Sequence, residues 1–384
     1  MRQLSVLLIY SGFYLTAIFA GAAALVGPAQ AQVIFGADIG DGTSPLGAIF
    51  RVNDGNVTAI QTGLPNPQFP SLSPPGNLLV ISSPDPGAPS EPSTDLFAHD
   101  LLTGQTRKLV DNVTQTDSMG NTLTAAPLFS ATEVNGQRIA FVNQLSSSNP
   151  QGGGSFRQLS VIRASDGFNL ALAELGQGNA IDFYQSEFVG LDWSPVAPVF
   201  AAPAYVPVTT NTGRETVAAG IVLFGETGPG AFGRVGQLTQ PVVTDQAGAI
   251  IVETHAYPAF SGDGQQLAFF RITFPSVLMT QPAQADLIVI DISSGSGLIV
   301  ATFQSGNYPL GVSWGNNDQV LYFSAGTQVS EGGQFPPIAR PDTAQIYTVN
   351  PAGGAIGQIP GAPVGYFPNA VPASRVIFQS NFEG

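Results

Sequence analysis

Short runs in which apolar and polar residues alternate, each bounded by Gly, Pro, Asn, Asp or Ser, fill the chain from residue 33 onward and predict strands rather than helices. The clearest stretch reads YPAFSGDGQQLAFFR over residues 257–271 and ADLIVIDISSGSGLIVATF over 285–303. Four strands are written there. The first ends at the turn Gly262-Asp263-Gly264, residues 267–271 return from it, 287–292 form the third, and 298–303 follow a Ser-Gly-Ser-Gly turn. Asp-Gly between alternating hydrophobics is a strong hairpin signal, because both turn positions tolerate positive φ.

The same order recurs. FPSLSPPGNLLVISS begins at Phe69 and is completed by residues 94–110; PLFSATEVNGQRIAFVN begins at Pro127 and is completed by 156–175. LDWSPVAPVFAAPA begins at Leu191 and its unit runs to Gln240, while VSWGNNDQVLYFSA begins at Val312 and its unit ends at Ile359. A sixth unit is divided between the two ends of the chain. FPNAVPASRVIFQS (367–380) supplies its first two strands and GAIFRVNDGNVTAIQT (47–62) the third and fourth, with Val-Ile-Phe at 33–35 either competing with Val-Ile-Phe at 376–378 or pairing beside it. Repeats of this kind predict an all-β fold, a six-bladed β-propeller of four-stranded antiparallel blades, closed by pairing of N- and C-terminal strands so that no sheet edge is left open. About 59 residues fall to each blade, against roughly 40–45 in a WD40 blade. The surplus lies in Gly-, Pro- and Ser-rich loops at 146–155, 207–216, 275–285 and 326–343, each between a second and a third strand. No linker-like shift in composition divides the repeats, so 32–384 is expected to be a single domain.

Residues 1–31 break the pattern. Arg2 precedes an apolar run over 4–26, then come Pro28 and Ala29-Gln30-Ala31. This reads as a secretory signal peptide cleaved after Ala31, which implies a periplasmic or secreted protein with no later membrane span. Retention of the apolar run as an anchor is the alternative.

Composition narrows the chemistry. Lys plus Arg number 12 against 26 Asp plus Glu, a net charge of −14, and Lys108 is the only lysine. Nucleic acid is thereby excluded as a partner, since phosphate affinity needs clustered cations. A neutral or basic ligand suits such a surface better. With no cysteine there is no disulfide, thiolate nucleophile or Cys-bound zinc. His99 and His255 are the only histidines, and neither a G-x-S-x-G elbow nor a phosphate-binding loop occurs. No catalytic or metal site is assigned on these grounds. Calcium is the one ion the oxygen ligands leave open, at Asp38 and Asp41 or at the axial Asp192. A propeller hydrolase acting on carbohydrates or lactones is the alternative function, with Asp182, Glu187, Asp192 and Glu253 as the available carboxylates.

An apolar residue, then Ser, Pro or Gly, Asp and Gly ahead of an apolar strand is carried by Phe260-Ser261-Gly262-Asp263-Gly264, by Leu72-Ser73-Pro74-Pro75-Gly76 and, in part, by Trp193-Ser194-Pro195. Together with Asp95-Leu96-Phe97 and Asp286-Leu287-Ile288, these resemble the TolB-like (WD40-like, PD40) propeller family. The resemblance implies a six-bladed scaffold with a tendency to bind proteins or peptides. It does not extend to the α/β domain and the Tol partnership of the protein that names the family, because blade-like strands begin just after Gln32.

Strand alternation puts the starts of the inner strands and the second-to-third loops on one face of the disc. Phe69-Pro70, Tyr257-Pro258, Tyr308-Pro309 and Phe367-Pro368 stand at those starts, with Ala126-Pro127 a weaker copy and Val189-Gly190 the exception. Phe69, Asp192, His255, Tyr257, Tyr308 and Phe367 are therefore the candidate ligand-binding residues around the channel mouth. The expected protein is a monomeric, exported, non-catalytic module for an envelope or extracellular protein or peptide.

Overall fold

A computed structural model describes residues 33–370 apart from 39–46, 54–55, 75, 88–93, 117–119, 121, 149–153, 175–189, 229–230, 247–248, 275–283, 304–305, 316, 330–337 and 340–342. The signal segment, Asp41, Asp182, Glu187 and residues 371–384 lie outside the described residues.

Six antiparallel sheets form a ring of six blades. From the channel outward, the first blade is Gln68–Leu72, Leu78–Ser83, Asp95–Asp100 and Thr106–Val110. The second is Thr122–Thr132, Arg138–Ser148, Gly154–Arg163 and Asn169–Glu174, and the third Asp192–Trp193, Val199–Thr209, Glu215–Gly228 and Ala231–Gln237. The fourth is Ala249–Phe260, Gln266–Phe274, Gln284–Asp291 and Gly297–Phe303, and the fifth Asn307–Gly315, Val320–Val329, Gln345–Val349 and Gly357–Gln358. Two further strands, Val113–Thr116 and Val243–Gln246, pair with the starts of the inner strands of the second and fourth blades.

The closing blade joins the two ends, but not as two strands from each. Its order is Tyr366–Ala370, Val33–Asp38, Gly47–Asn53, Asn56–Ile60, so the C-terminal part gives one strand and the N-terminal part three. Val33 pairs with both Ala370 and Val52, and Val33, Ile34 and Phe35 are buried on both faces of the blade. A strand covered on both sides needs an unbroken apolar run, which VIF at 33–35 supplies.

Burial explains why each segment takes its layer. Second strands such as Leu78–Ser83 are almost wholly buried, whereas outer strands such as Asn56–Ile60 are largely exposed. The hairpin between the first two strands repeats in detail. Gly264 donates to the Ser261 carbonyl and Ser261 to that of Gln266, as Gly76 does to Ser73 and Ser73 to Leu78. The glycines have φ of 69° and 75°, values a Cβ disfavours. Thr122 pairs with Ser148 and Ser147 with Gly154, so the inner-strand start and the second-to-third connection do share one face.

Candidate functional site at the channel mouth

Five of the six inner strands bulge at one equivalent place. Register breaks fall between Gln68 and Ser71, Ala256 and Ala259, and Pro309 and Val312, and opposite the pairs Phe141/Asn143 and Ile34/Gly36. One residue from each blade, Phe69, Phe129, Gly190, Tyr257, Gly311 and Phe367, lines a cavity of about 60 Å3 at the mouth. Phe69, Tyr257 and Phe367 have φ of 50°, 53° and 51°. An aromatic residue held in the left-handed region costs roughly 1–2 kcal/mol. Among the described residues the other non-glycine positions with positive φ are Asn317 and Asp318 of a turn, residue types that tolerate it, so the aromatic cases all fall in this one ring.

The rings close the opening rather than frame it. Phe69 lies 4.3 Å from Phe129 and 5.1 Å from Phe367, Phe129 lies 4.9 Å from Phe367, and Tyr257 reaches Phe367 at 6.1 Å, all between centroids. Glycine at the other two positions makes room for them. A Cβ on Gly190 would stand 2.8 Å from the Tyr257 Cα, and one on Gly311 would stand 3.2 Å from the Phe367 Cα. Phe69, Phe129 and Phe367 remain half-buried, so each keeps part of its ring open to a ligand.

Tyr308 stands apart from this ring. It sits three residues before Gly311, is 1% exposed and belongs to the core between the fourth and fifth blades. Phe129 takes the place that the Ala126-Pro127 pair suggested for the second blade. No proline follows Phe129, so the aromatic-proline pattern passes over it.

Two positions further along, the channel changes character. Ser71, Asp192, Ser313 and Asn369 stand there and line a second cavity of about 40 Å3, with Thr132 one position further on. The Asp192 carboxylate accepts the Phe260 N–H at 2.7 Å, the Asn369 amide oxygen accepts the Leu72 N–H at 2.9 Å, and the Ser313 hydroxyl accepts the Ala370 N–H at 2.8 Å. Where that position is alanine, the next blade answers with an indole. Trp193 donates to the Ala131 carbonyl and Trp314 to that of Ala259, both at 2.9 Å. Asp192 thus fastens the third blade to the fourth.

His255 lies within the strand Ala249–Phe260, 4% exposed, between the third and fourth blades. Thr239 Oγ1 accepts the Ile221 N–H and shares a second hydrogen bond with His255 Nδ1 at 2.7 Å. His255 Nε2 is hydrogen-bonded to Glu253 Oε1 at 3.0 Å. Hydroxyl, imidazole and carboxylate follow one another as in an activated nucleophile, but here the hydroxyl also holds a backbone amide and all three lie in the packed seam. Arg271 continues the row, 2.7 Å from Asp286, to which Thr302 donates at 2.8 Å. Thr239 and its role are invisible in the sequence, because the partner strand comes from the preceding blade.

Elsewhere, Asp85, Asp95 and Asp111 converge closely enough for a metal ion, the only such group among the described residues. The Lys108 ammonium occupies the centre, 2.7 Å from Asp95 and 2.8 Å from Asp111, and is also bonded to Asp85. Burial works against its charge, but bonds to Asp111, Asp85 and Asp95 outweigh it and push its pKa up. The cation of this cage is part of the chain.

No sequence-family model and no curated protein matches the chain. Among solved structures, TolB from Acinetobacter baumannii is similar over 90% of this chain and 68% of its own, with a TM-score of 0.52 and 13% identity. The fold is that of the TolB propeller. At this identity the likeness is one of fold, and TolB itself is a different protein. The propeller domain of the Trilobed protease from Pyrococcus furiosus matches 85% of this chain and 92% of its own (TM-score 0.44, 10% identity). Acylaminoacyl peptidase from Pyrococcus horikoshii matches 85% of this chain but only 50% of its own (TM-score 0.44, 11% identity).

Proposed function

We propose that the chain is an exported, non-catalytic binding module that takes a protein or peptide ligand on the loop-rich face, over the mouth of its TolB-like propeller. One observation carries the reading: three phenylalanines from three blades meet at that mouth, two of them on strained backbone, and keep part of each ring exposed. Flat rings give contact area at little cost in side-chain entropy, and strain retained at one opening fits a functional role. Among the described residues no charged group lines the mouth cavity, which favours a neutral apolar anchor within a larger contact. Export rests on the signal pattern at residues 1–31. The hydrolase alternative is supported less well, because Asp192 and Glu253 are engaged in bonds between and within blades.

The test is crosslinked capture from a cell-envelope extract with residues 32–384 as bait and Phe69→Ala/Phe129→Ala as control. Retention of one partner by the native bait, reduced about tenfold in the variant (~1.4 kcal/mol) with a cooperative melt preserved, supports the reading. Turnover of a chromogenic glycoside or lactone that Asp192→Asn abolishes would overturn it.

A further inference from the structure

The outer strands of the six blades form the rim of the disc, where unpaired strand edges invite another chain unless charge or shortness blunts them. In the first three blades this strand carries charge, at Arg107 and Lys108, at Glu174, and at Arg234; in the fifth it is only Gly357–Gln358, and in the closing blade it is the short, largely exposed Asn56–Ile60. The fourth blade differs. Its outer strand Gly297–Phe303 reads GLIVATF, without charge or proline, and exposes Leu298 at 48% and Ile299 at 47%. Among the described residues no strand pairs with its outer side.

A cleft of about 530 Å3 opens beside the first residues of that strand, on the face opposite the mouth, where turns of the fourth and fifth blades meet. Gln266, Asp291 and Leu298 line it from the fourth blade, and Asp318, Asn350 and Pro351 from the fifth. Asp291 Oδ1 accepts the Ser293 hydroxyl at 2.6 Å and the Ser294 N–H at 2.8 Å, and Asp318 Oδ1 accepts the Gly262 N–H at 2.6 Å. These bonds hold both carboxylates in place. Those from Ser293 and Ser294 keep the Asp291 pKa down at about 2, so its charge persists through the physiological range. Among the described residues no Lys, Arg or His lines the cleft.

We propose that the outer strand of the fourth blade takes an extended peptide as an added strand, with a lysine or arginine side chain of that peptide seated in the cleft. Strand addition draws affinity from main-chain bonds and specificity from pockets that read alternate side chains. Here edge and pocket adjoin, because Leu298 belongs to both. Two carboxylates without a cation from the chain, in a protein of net charge −14, select a basic side chain over a neutral or acidic one. The surface lies away from the mouth and stands independently of the ligand proposed there.

The probes are two acetylated, amidated peptides, TVTVTVTKT and TKTVTVTVT, which bring the lysine to the cleft in antiparallel and parallel addition respectively. Titrated against the full chain, one of them is expected to bind at least about tenfold more tightly than its counterpart with glutamate for lysine, and to lose that margin in Asp291→Asn and in Asp318→Asn. At saturation it should slow amide exchange over 297–303 and leave the other outer strands unchanged. Phe69→Ala/Phe129→Ala should bind it as the native chain does. If an asparagine variant fails to fold, Leu298→Lys, at an exposed position, decides by abolishing the preference for lysine. The proposal is overturned if neither peptide binds, if binding is lost in the double phenylalanine variant but kept in the asparagine variants, or if acetyl-lysine amide competes fully and 297–303 gain no protection. A dimer of the free chain that the peptide cannot displace from this edge overturns it as well.

Discussion

The two ends of the channel are built two residues apart on the same six strands, and they have opposite economies. At the mouth, side chains meet one another across the axis, the backbone is strained at Phe69, Tyr257 and Phe367, and three rings stay half-exposed. In the shaft, Asp192, Ser313 and Asn369 each bond the next blade's backbone, and Trp193 and Trp314 reach back to the preceding one. Position within the repeat thus separates two tasks. The shaft holds the ring together, and the mouth is left free to differ from blade to blade.

The largest expected contrast comes from truncating one ring at each end. Trp193 is buried against Phe200 and Phe232, with the Arg138 guanidinium 5.2 Å above it. Trp193→Ala should lower stability by about 3–5 kcal/mol, whereas Phe129→Ala, which loses mainly ring contacts, should cost about 1 kcal/mol. Denaturant melts of the two variants measure both. Equal losses would erase the distinction between shaft and mouth.

A smaller effect separates hydrogen bonding from charge. Asp192→Ala removes the acceptor of the Phe260 N–H and should cost about 1.5–3 kcal/mol, the range for bonds to charged groups. Asp192→Asn keeps an acceptor oxygen and should recover most of it. If both variants lose the same amount, the carboxylate's charge rather than its bond joins the third blade to the fourth. At the mouth, Gly190→Ala combines a φ of 105° with a close approach to Tyr257 and should cost about 1–3 kcal/mol. Its effect on capture of a ligand should exceed that of Asp192→Ala, since it displaces a mouth ring.

These assignments differ in how far the sequence discloses them. Strand order, the Asp-Gly and Asn-Gly turns and the joining of the two ends follow from local pattern, which the structure repeats bond for bond at Ser73 and Ser261. Phe69, Tyr257 and Phe367 are legible at the mouth because a proline follows each. Tyr308-Pro309 shows the same dipeptide three residues early, and there it serves the core. Gly190 and Gly311 are read only once the rings lying over them are known. The division of the closing blade is ambiguous in sequence because Val-Ile-Phe occurs at both ends, and the pairing of Val33 with Ala370 is a long-range contact that no local pattern encodes. Asp192, Thr239 and the indole bonds act between blades, a relation that no local pattern encodes.

The smallest effect asks whether acid sensitivity belongs to either end of the channel. His99 lies off the channel in the third strand of the first blade, buried, with Nδ1 2.9 Å from Thr106 Oγ1. Thr106 donates its proton to the Thr62 carbonyl at 2.6 Å, so it accepts from His99 Nδ1–H and fixes a neutral tautomer. Burial pushes the His99 pKa down, and the neighbouring Asp100 carboxylate only partly opposes it. The sign follows from proton counting. Below the unfolded value of about 6.5 the unfolded chain binds a proton that the folded chain refuses, so stability falls as pH drops from 7 through that value and levels off below the folded pKa. His99→Gln should flatten this part of the profile while leaving ligand capture at the mouth unchanged. A slope that survives His99→Gln would instead place the titrating group outside the first blade's third strand.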